Sequence, residues 1–230
     1  MANLLWQGVL MTIVLTAVTS ILSLLIGIGV GTMRLSGKGW RRVAIVYIAI
    51  HRNIPALVLI IFWAFSVPNI FSLEVRQLIF FNNPIIDGIK QLTGLSLPYY
   101  AIAAILGLTL NTSAYLAELF RAGVGTIPQE TVDAARTLGA SPTVVFWRIL
   151  LPQGVRAAFP AINTRLIHNM KNTALASFVS VPEFFQATQT AVSKTFLAVQ
   201  FLTVAAVVYL ILSFLFATFL QQIDHRLSRF

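Results

Sequence analysis

Between Leu4 and Met33 the chain carries no charged residue, and apolar runs of similar length recur along it, each bounded by polar or basic positions. A bilayer's hydrocarbon core takes about 20 residues of helix to cross. The runs at about 4–33, 43–66 and 198–220 reach that length easily. A fourth, about 98–120 (PYYAIAAILGLTLNTSAYLAELF), is interrupted by Asn111 and Glu118 but is long enough. The fifth, about 157–181, is the most polar, because it holds Arg165, His168 and Lys171. The pattern predicts an all-α integral membrane protein of five transmembrane helices forming a single domain over 1–230.

Charge gives the predicted spans a direction. With the N-terminus outside, the inner segments 34–42, 121–156 and 221–230 hold four, four and two Lys/Arg. The outer segments hold none before the first span, then Arg76 and Lys90, then Lys194. Basic residues concentrate on the cytoplasmic side of membrane proteins, so the C-terminus is expected inside. Four spans would instead leave Arg226 and Arg229 outside. Composition agrees with lipid as the solvent: 57% of residues are hydrophobic and 10% charged, against about 25% charged in soluble domains. The net charge of +9 follows the positive-inside pattern and does not call for a nucleic-acid partner. The opening run lacks a basic leader and a small-residue cleavage site, and reads as a retained membrane segment. The outer segment 67–97, with Pro68, Asn82-Asn83-Pro84 and Gly94, reads as an irregular connection with a short interfacial helix.

Some chemistry is excluded. The chain has no cysteine, which rules out disulfides, thiolate catalysis and thiol-bound metal. Its histidines (His51, His168, His225) are too scattered for a metal site. The stretch GTMRLSGKGW fails as a phosphate loop: five residues separate Gly31 from Gly37, and Gly39 stands where Ser or Thr would hold magnesium.

The inner segment 121–156 is unusually structured for a loop. Thr126-Ile127-Pro128-Gln129 has the spacing of a capping box, and Pro suits a first turn. A helix over 128–138 places Val132, Ala135 and Leu138 on one side, and Gln129, Asp133 and Arg136 or Thr137 on another. Gly139 can close that helix in the left-handed conformation, Ser141-Pro142 is a second start signal, and Pro152 a second stop. Two short helices with a sharp bend form a docking element outside the membrane, and Ala134 and Ala135 let another surface approach closely.

The spacing Asp133-Ala134-Ala135, three residues, Gly139, nine residues, Ile149, one residue, Leu151-Pro152 resembles the EAA loop of ABC-importer permeases. RNIPALVLIIF (52–62), NTSAYLAELFRAGVGTIPQE (111–130), LPQGVRAAFPAI (151–162) and KNTALASFVSVPE (171–183) are similar to the polar amino-acid permeases, the histidine/glutamine/arginine/glutamate importers. The resemblance covers about 8–225. It implies the type I ABC-importer permease fold in a bacterial cytoplasmic (inner) membrane. The implied partners are ABC ATPase subunits, a second permease subunit, identical or related, and an extracytoplasmic substrate-binding protein. ATP and magnesium would belong to the ATPase, with no cofactor on this chain, which is not itself an enzyme. The loop would be the coupling helix, with Asp133, Ala134, Ala135 and Gly139 transmitting motion and Gln129 and Arg136 beside them. Asp133 stands where the family usually has Glu, and Asn172 where many members have Asp.

Polar residues inside spans are costly in lipid, about 2.5–3.5 kcal/mol for a charge on insertion scales, and mark functional positions by default. Asn111, Tyr115 and Glu118 share one face of the third span. In the fourth span Arg165, His168, Asn169 and Asn172 recur at helical spacing, with Thr173 beside them and Lys171 at one edge. Arg52 lies nine residues into the second span, beside the Asn53-Ile54-Pro55 break whose freed carbonyls it could satisfy. Arg52, Asn111, Tyr115, His168, Lys171, Asn172 and Thr173 are the substrate-path candidates. Glu118 and Arg165 are structural candidates, Glu118 pairing with Arg121 or, across helices, with Arg165. Three cations in the spans (Arg52, Arg165, Lys171) against one anion (Glu118) favour a substrate bearing a carboxylate, an acidic or neutral polar amino acid. The alternative is a secondary transporter or channel for small polar solutes, which leaves the two-helix loop without a purpose. A membrane-embedded enzyme lacks the nucleophile–base or metal constellation it would need.

Overall fold

The computed structural model describes residues 1–77 and 99–227, and every regular element among them is helical. In chain order these are α1 (Ala2–Leu35), α2 (Lys38–Asn53), α3 (Ala56–Ile61) running on into a π-helical turn (Phe62–Ser66), and the short α4 (Leu73–Arg76). Then come α5 (Tyr99–Val124), α6 (Gln129–Thr137), α7 (Pro142–Val145), α8 (Leu151–Asn172), α9 (Phe184–Thr195) and α10 (Ala198–Leu227).

Helices α1, α5 and α10 are each long and apolar enough to cross a bilayer. The span expected over 43–66 is broken at the Asn53-Ile54-Pro55 position: α2 and the Ala56–Ile70 segment meet at 101° across Ile54-Pro55. The cause is local. Pro55 has no N–H, and its ring pushes the preceding residue out of the helical region, so Ile54 is extended at φ −85°, ψ 129°. Helix α8 carries Arg156, Arg165, His168 and Lys171 and is not among the helices apolar enough to cross by composition. Of the outer connection, the described part is a 3₁₀ turn (Pro68–Ile70) and α4. Asn82-Asn83-Pro84, Lys90 and Gly94 lie outside the described residues.

Helix α5 is the centre of the molecule, with 67% of its apolar window buried against 6% for α10. Its neighbours approach through small residues, which lets backbones pack closely where lipid supplies little hydrophobic drive between helices. A Cβ added at Gly27 of α1 would stand 2.7 Å from the Leu116 Cβ and 3.1 Å from the Ser113 carbonyl oxygen. Gly31, one turn on, faces Phe120 and Ala117 in the same way, and Gly123 of α5 meets the Gly154 backbone of α8. Two buried hydroxyls of α1 are satisfied within the helix, Thr16 donating to the Thr12 carbonyl and Thr19 to the Leu15 carbonyl, each at 2.7 Å, while Ser23 donates to the Thr109 carbonyl of α5 at 3.3 Å.

The structured loop departs from its sequence signals at two points. Thr126 does not cap α6; its hydroxyl turns back to the Gly123 carbonyl at 2.8 Å, and Pro128 occupies the cap position. Pro152 does not stop the second helix. A π-helical turn over Phe146–Leu150, in which the Leu151 N–H reaches the Phe146 carbonyl, joins α7 to α8. The widened turn relieves the clash and the missing donor that proline brings to an ordinary helix. The loop is therefore one free helix, α6, followed by the foot of α8. Gly139 closes α6 at φ +84° as its residue type predicts, and the Ser141 hydroxyl caps α7.

Beyond α8 a 3₁₀ segment (Thr173–Val179) leads to Ser180 in the left-handed region, where the chain turns back. Glu183, fully buried, caps α9 by accepting from the Phe185 and Gln186 N–H groups at 2.9 and 2.8 Å. It also accepts from the Tyr209 hydroxyl of α10 at 2.6 Å and the Thr12 hydroxyl of α1 at 3.4 Å. One carboxylate thus ties three helices together.

Candidate functional site

The site forms where the broken helix meets α5 and α8. Without an N–H on Pro55, the His51 carbonyl has lost its helical partner four residues on. The side-chain amide of Asn111 takes it, its Nδ2 donating to the His51 carbonyl at 2.8 Å and to the Ile54 carbonyl at 3.2 Å. The Tyr115 hydroxyl, one turn along α5, donates to the Arg52 carbonyl at 3.2 Å. The carbonyls at the break are held by α5, not by the Arg52 side chain as the sequence suggested.

From α8, Arg165 reaches across. Its Nη2 donates to the Asn111 Oδ1 at 2.6 Å, and its guanidinium carbon lies 3.8 Å from the centre of the Tyr115 ring. Arg52 approaches the same ring at 5.9 Å. The Tyr115 ring thus attracts both cations through its quadrupole. Nη1 of Arg165 contacts the His168 Nδ1 at 3.3 Å, as does the Asn172 Nδ2 at 3.2 Å. A guanidinium has no acceptor, so that ring nitrogen is the acceptor and the imidazole proton sits on Nε2. Nε of Arg165 is buried with no protein partner among the described residues.

These side chains line a cleft of about 350 Å³ that includes Arg52, Asn111, Tyr115, Arg165, His168 and Asn172. No carboxylate is among its described lining residues. Glu118, further along α5, is engaged elsewhere: it pairs with Arg121 at 2.7 Å and is approached by Arg34 of α1 at 3.9 Å. Of the two pairings the sequence left open for Glu118, the local one forms. Arg165 faces the cleft instead.

Two path candidates fall outside. Thr173 is fully buried, its hydroxyl donating to the Met170 carbonyl at 2.6 Å. Lys171 points into a separate, mostly apolar groove between the end of α8 and α10. Helical spacing placed both near the polar stripe, but Thr173 falls one turn on from the buried Asn169 and Met170 and shares their inward face.

The loop candidates lie together on α6 and at Gly139 just past its end. Asp133, Ala134, Arg136 and Gly139 are exposed and Ala135 is half-buried, while Val132 alone anchors the helix inward. Gln129 donates to the Asp133 carboxylate at 3.1 Å. Leu138 stands 89% exposed at its end. Among the described residues no cluster of His, Asp or Glu could hold a metal ion.

Two polar residues matter that were not among the candidate site residues. Asn169 is fully buried and joins three helices, accepting from the Thr112 hydroxyl and donating to the Thr19 hydroxyl, each at 2.8 Å. It shares the helical period of the cleft residues but faces α1 and α5. Glu183 was signalled only by being an isolated acid between Val181-Pro182 and Phe184-Phe185.

The model of the binding-protein-dependent transport system inner membrane component family matches residues 23–229. The probable glutamine ABC transporter permease protein of Bacillus subtilis (strain 168) is 31% identical over 187 residues, 80% of this chain and 74% of that protein. The octopine transport system permease protein of Rhizobium radiobacter is 33% identical over 114 residues, 50% of this chain and 46% of its own length. Among solved structures, the crystal structure of an amino acid ABC transporter with histidines superposes at a TM-score of 0.75, with 24% identity. That match covers 98% of this chain and 94% of the other, and speaks for the fold.

Proposed function

This chain belongs to the family of binding-protein-dependent transport system inner membrane components and is a permease subunit of the amino-acid ABC importers; on that premise we propose that the cleft at the broken helix is where it handles a polar amino acid, acidic or neutral, by its carboxylate. The observation that carries this reading is the pair of guanidinium groups on one tyrosine, in a cleft whose described lining holds no counter-charge. A planar guanidinium donates two parallel hydrogen bonds to a carboxylate, and charge-assisted bonds are roughly twice as strong as neutral ones. Arg165 brings its guanidinium to that wall, with its Nε–H buried and without a protein partner among the described residues. His168 and Asn172 complete the wall, and no bond is made or broken by any of them.

The chain crosses the membrane five times in this reading, with its N-terminus outside, counting the bent α2–α3 pair and α8 as spans. Lining the cleft offsets the polarity of α8, since a charged face turned to a water-filled cavity avoids lipid. Helix α6 then lies in the cytoplasm as the coupling helix, docked in an ATPase subunit. Asp133 and Gln129 face that subunit, and Ala134 and Ala135 permit close approach. ATP on the ATPase pair, with its magnesium, draws two such helices together and shifts two permease chains between inward- and outward-facing states. An extracytoplasmic binding protein delivers the substrate.

Uptake by the assembled transporter in proteoliposomes tests the substrate class. Glutamate, aspartate or glutamine should compete with the transported amino acid, and arginine and lysine should not. Competition by arginine with none from the other three would overturn the acidic-or-neutral assignment.

A further inference from the structure

We infer that Asn111 is a latch on the broken second span, set by Arg165 and released when a substrate carboxylate claims that arginine. The inference rests on the carboxylate reading of the cleft, and adds to it a route by which occupancy reaches the backbone.

Three observations converge. First, the His51 carbonyl orphaned by Pro55 and the Ile54 carbonyl beside it are both held by one side-chain nitrogen, Asn111 Nδ2. The bend of 101° is therefore fastened to α5 at the break itself. Second, an amide can bond two carbonyls this way only with its oxygen turned the other way. The group facing that oxygen is Arg165 Nη2 at 2.6 Å, which only donates. Arg165 thereby fixes which way round the amide sits. Third, the same guanidinium lies on the face of Tyr115, within the cleft and with Nε unpartnered. A carboxylate that forks onto Arg165 competes with Asn111 Oδ1 for its N–H groups. Losing that bond removes what orients the amide, so the clamp on His51 and Ile54 loosens and α3 is free to swing about Pro55. By reciprocity of linkage, whatever opens the break favours substrate on Arg165.

A purely structural asparagine and a latch predict opposite changes in affinity. Substrate binding and the geometry of the break are measured together on the full transporter in nanodiscs, with cysteine-free partner subunits. The native chain has no cysteine, so spin labels at Arg41→Cys on α2 and Ile61→Cys on α3 report the distance across the bend. In the unsubstituted chain the distance should be single and narrow without ligand, and should shift or broaden with glutamine or glutamate. Asn111→Leu should broaden it without ligand and tighten amino-acid binding by roughly tenfold, the scale of one hydrogen bond to a charged group. Asn111→Asp is the second variant. It keeps an acceptor for Arg165 and removes the donor, so the distance should broaden while binding fails to tighten. Weaker binding in Asn111→Leu, or a distance that stays narrow in both variants, would overturn the latch. If no carboxylate ligand binds the unsubstituted chain, the carboxylate reading falls, and the ligand-free distances still decide whether Asn111 holds the break.

Discussion

At Pro55 the backbone lacks a donor, and the consequences run through single side chains. The orphaned His51 carbonyl draws in Asn111, Asn111 turns its oxygen to Arg165, and Arg165 lies on Tyr115. Residue types and spacing made most of this set legible, because a polar group costs too much in lipid to be idle. Spacing could not say that Glu118 would settle on Arg121 and Arg34, since every partner within reach satisfies the same rule. Glu183 offers a sharp test at this scale. Replacing it with Ala leaves the Phe185 and Gln186 N–H groups and the Tyr209 hydroxyl without their acceptor. The loss should be on the order of 3 kcal/mol, a helix cap plus buried bonds to a charged group. Thermal unfolding of the purified protein in detergent should show a lower midpoint, with Glu183→Gln intermediate.

Elements were easier to foresee than their interruptions. The long apolar helices follow from length and hydropathy, and the closure of α6 at Gly139 follows from the freedom of glycine at φ +84°. The π-helical turn that carries α7 past Pro152 has no comparable signal, since proline reads locally as a stop. How the helices cross gives a paired prediction on α1. Gly27→Ala forces a Cβ to within 2.7 Å of the Leu116 Cβ, whereas at Gly29 an added Cβ meets nothing within 4 Å. The first should destabilise by about 1–3 kcal/mol, and Gly29→Ala should be neutral or stabilise by about 0.5–1 kcal/mol. Unfolding midpoints of the two variants should move in opposite directions, or only the first should move.

For the whole molecule, the five-span reading makes a labelling prediction. Leu138, at the end of α6, and Phe196, between α9 and α10, are both 89% exposed. In whole cells a membrane-impermeant thiol reagent should label Phe196→Cys from outside. It should reach Leu138→Cys only after the membrane is opened, and labelling of Leu138→Cys in intact cells would reverse the topology. Coupling is tested by Asp133→Lys combined with Gly139→Asp, which puts a reversed charge on the exposed face and a Cβ at a positive φ. Transport should be lost while membrane insertion stays normal; undiminished uptake would remove α6 from the coupling path. Along the outer helix α10, Val199, Leu202, Leu210, Phe214 and Phe219 stand exposed, an apolar face suited to lipid or another subunit.

Hydrophobic runs, loop charges and the Asp133–Pro152 spacing determined, without coordinates, that this chain is helical, lives in a membrane and resembles an importer permease. Those properties are additive along the chain, so a linear reading captures them. What only the tertiary structure decided is which polar side chains face one another. Asn169 and His168 are neighbours in sequence, yet one is sealed against α1 and α5 while the other opens to the cleft. A helical period assigns each residue an angle about its own axis; the helix crossings decide what waits at that angle.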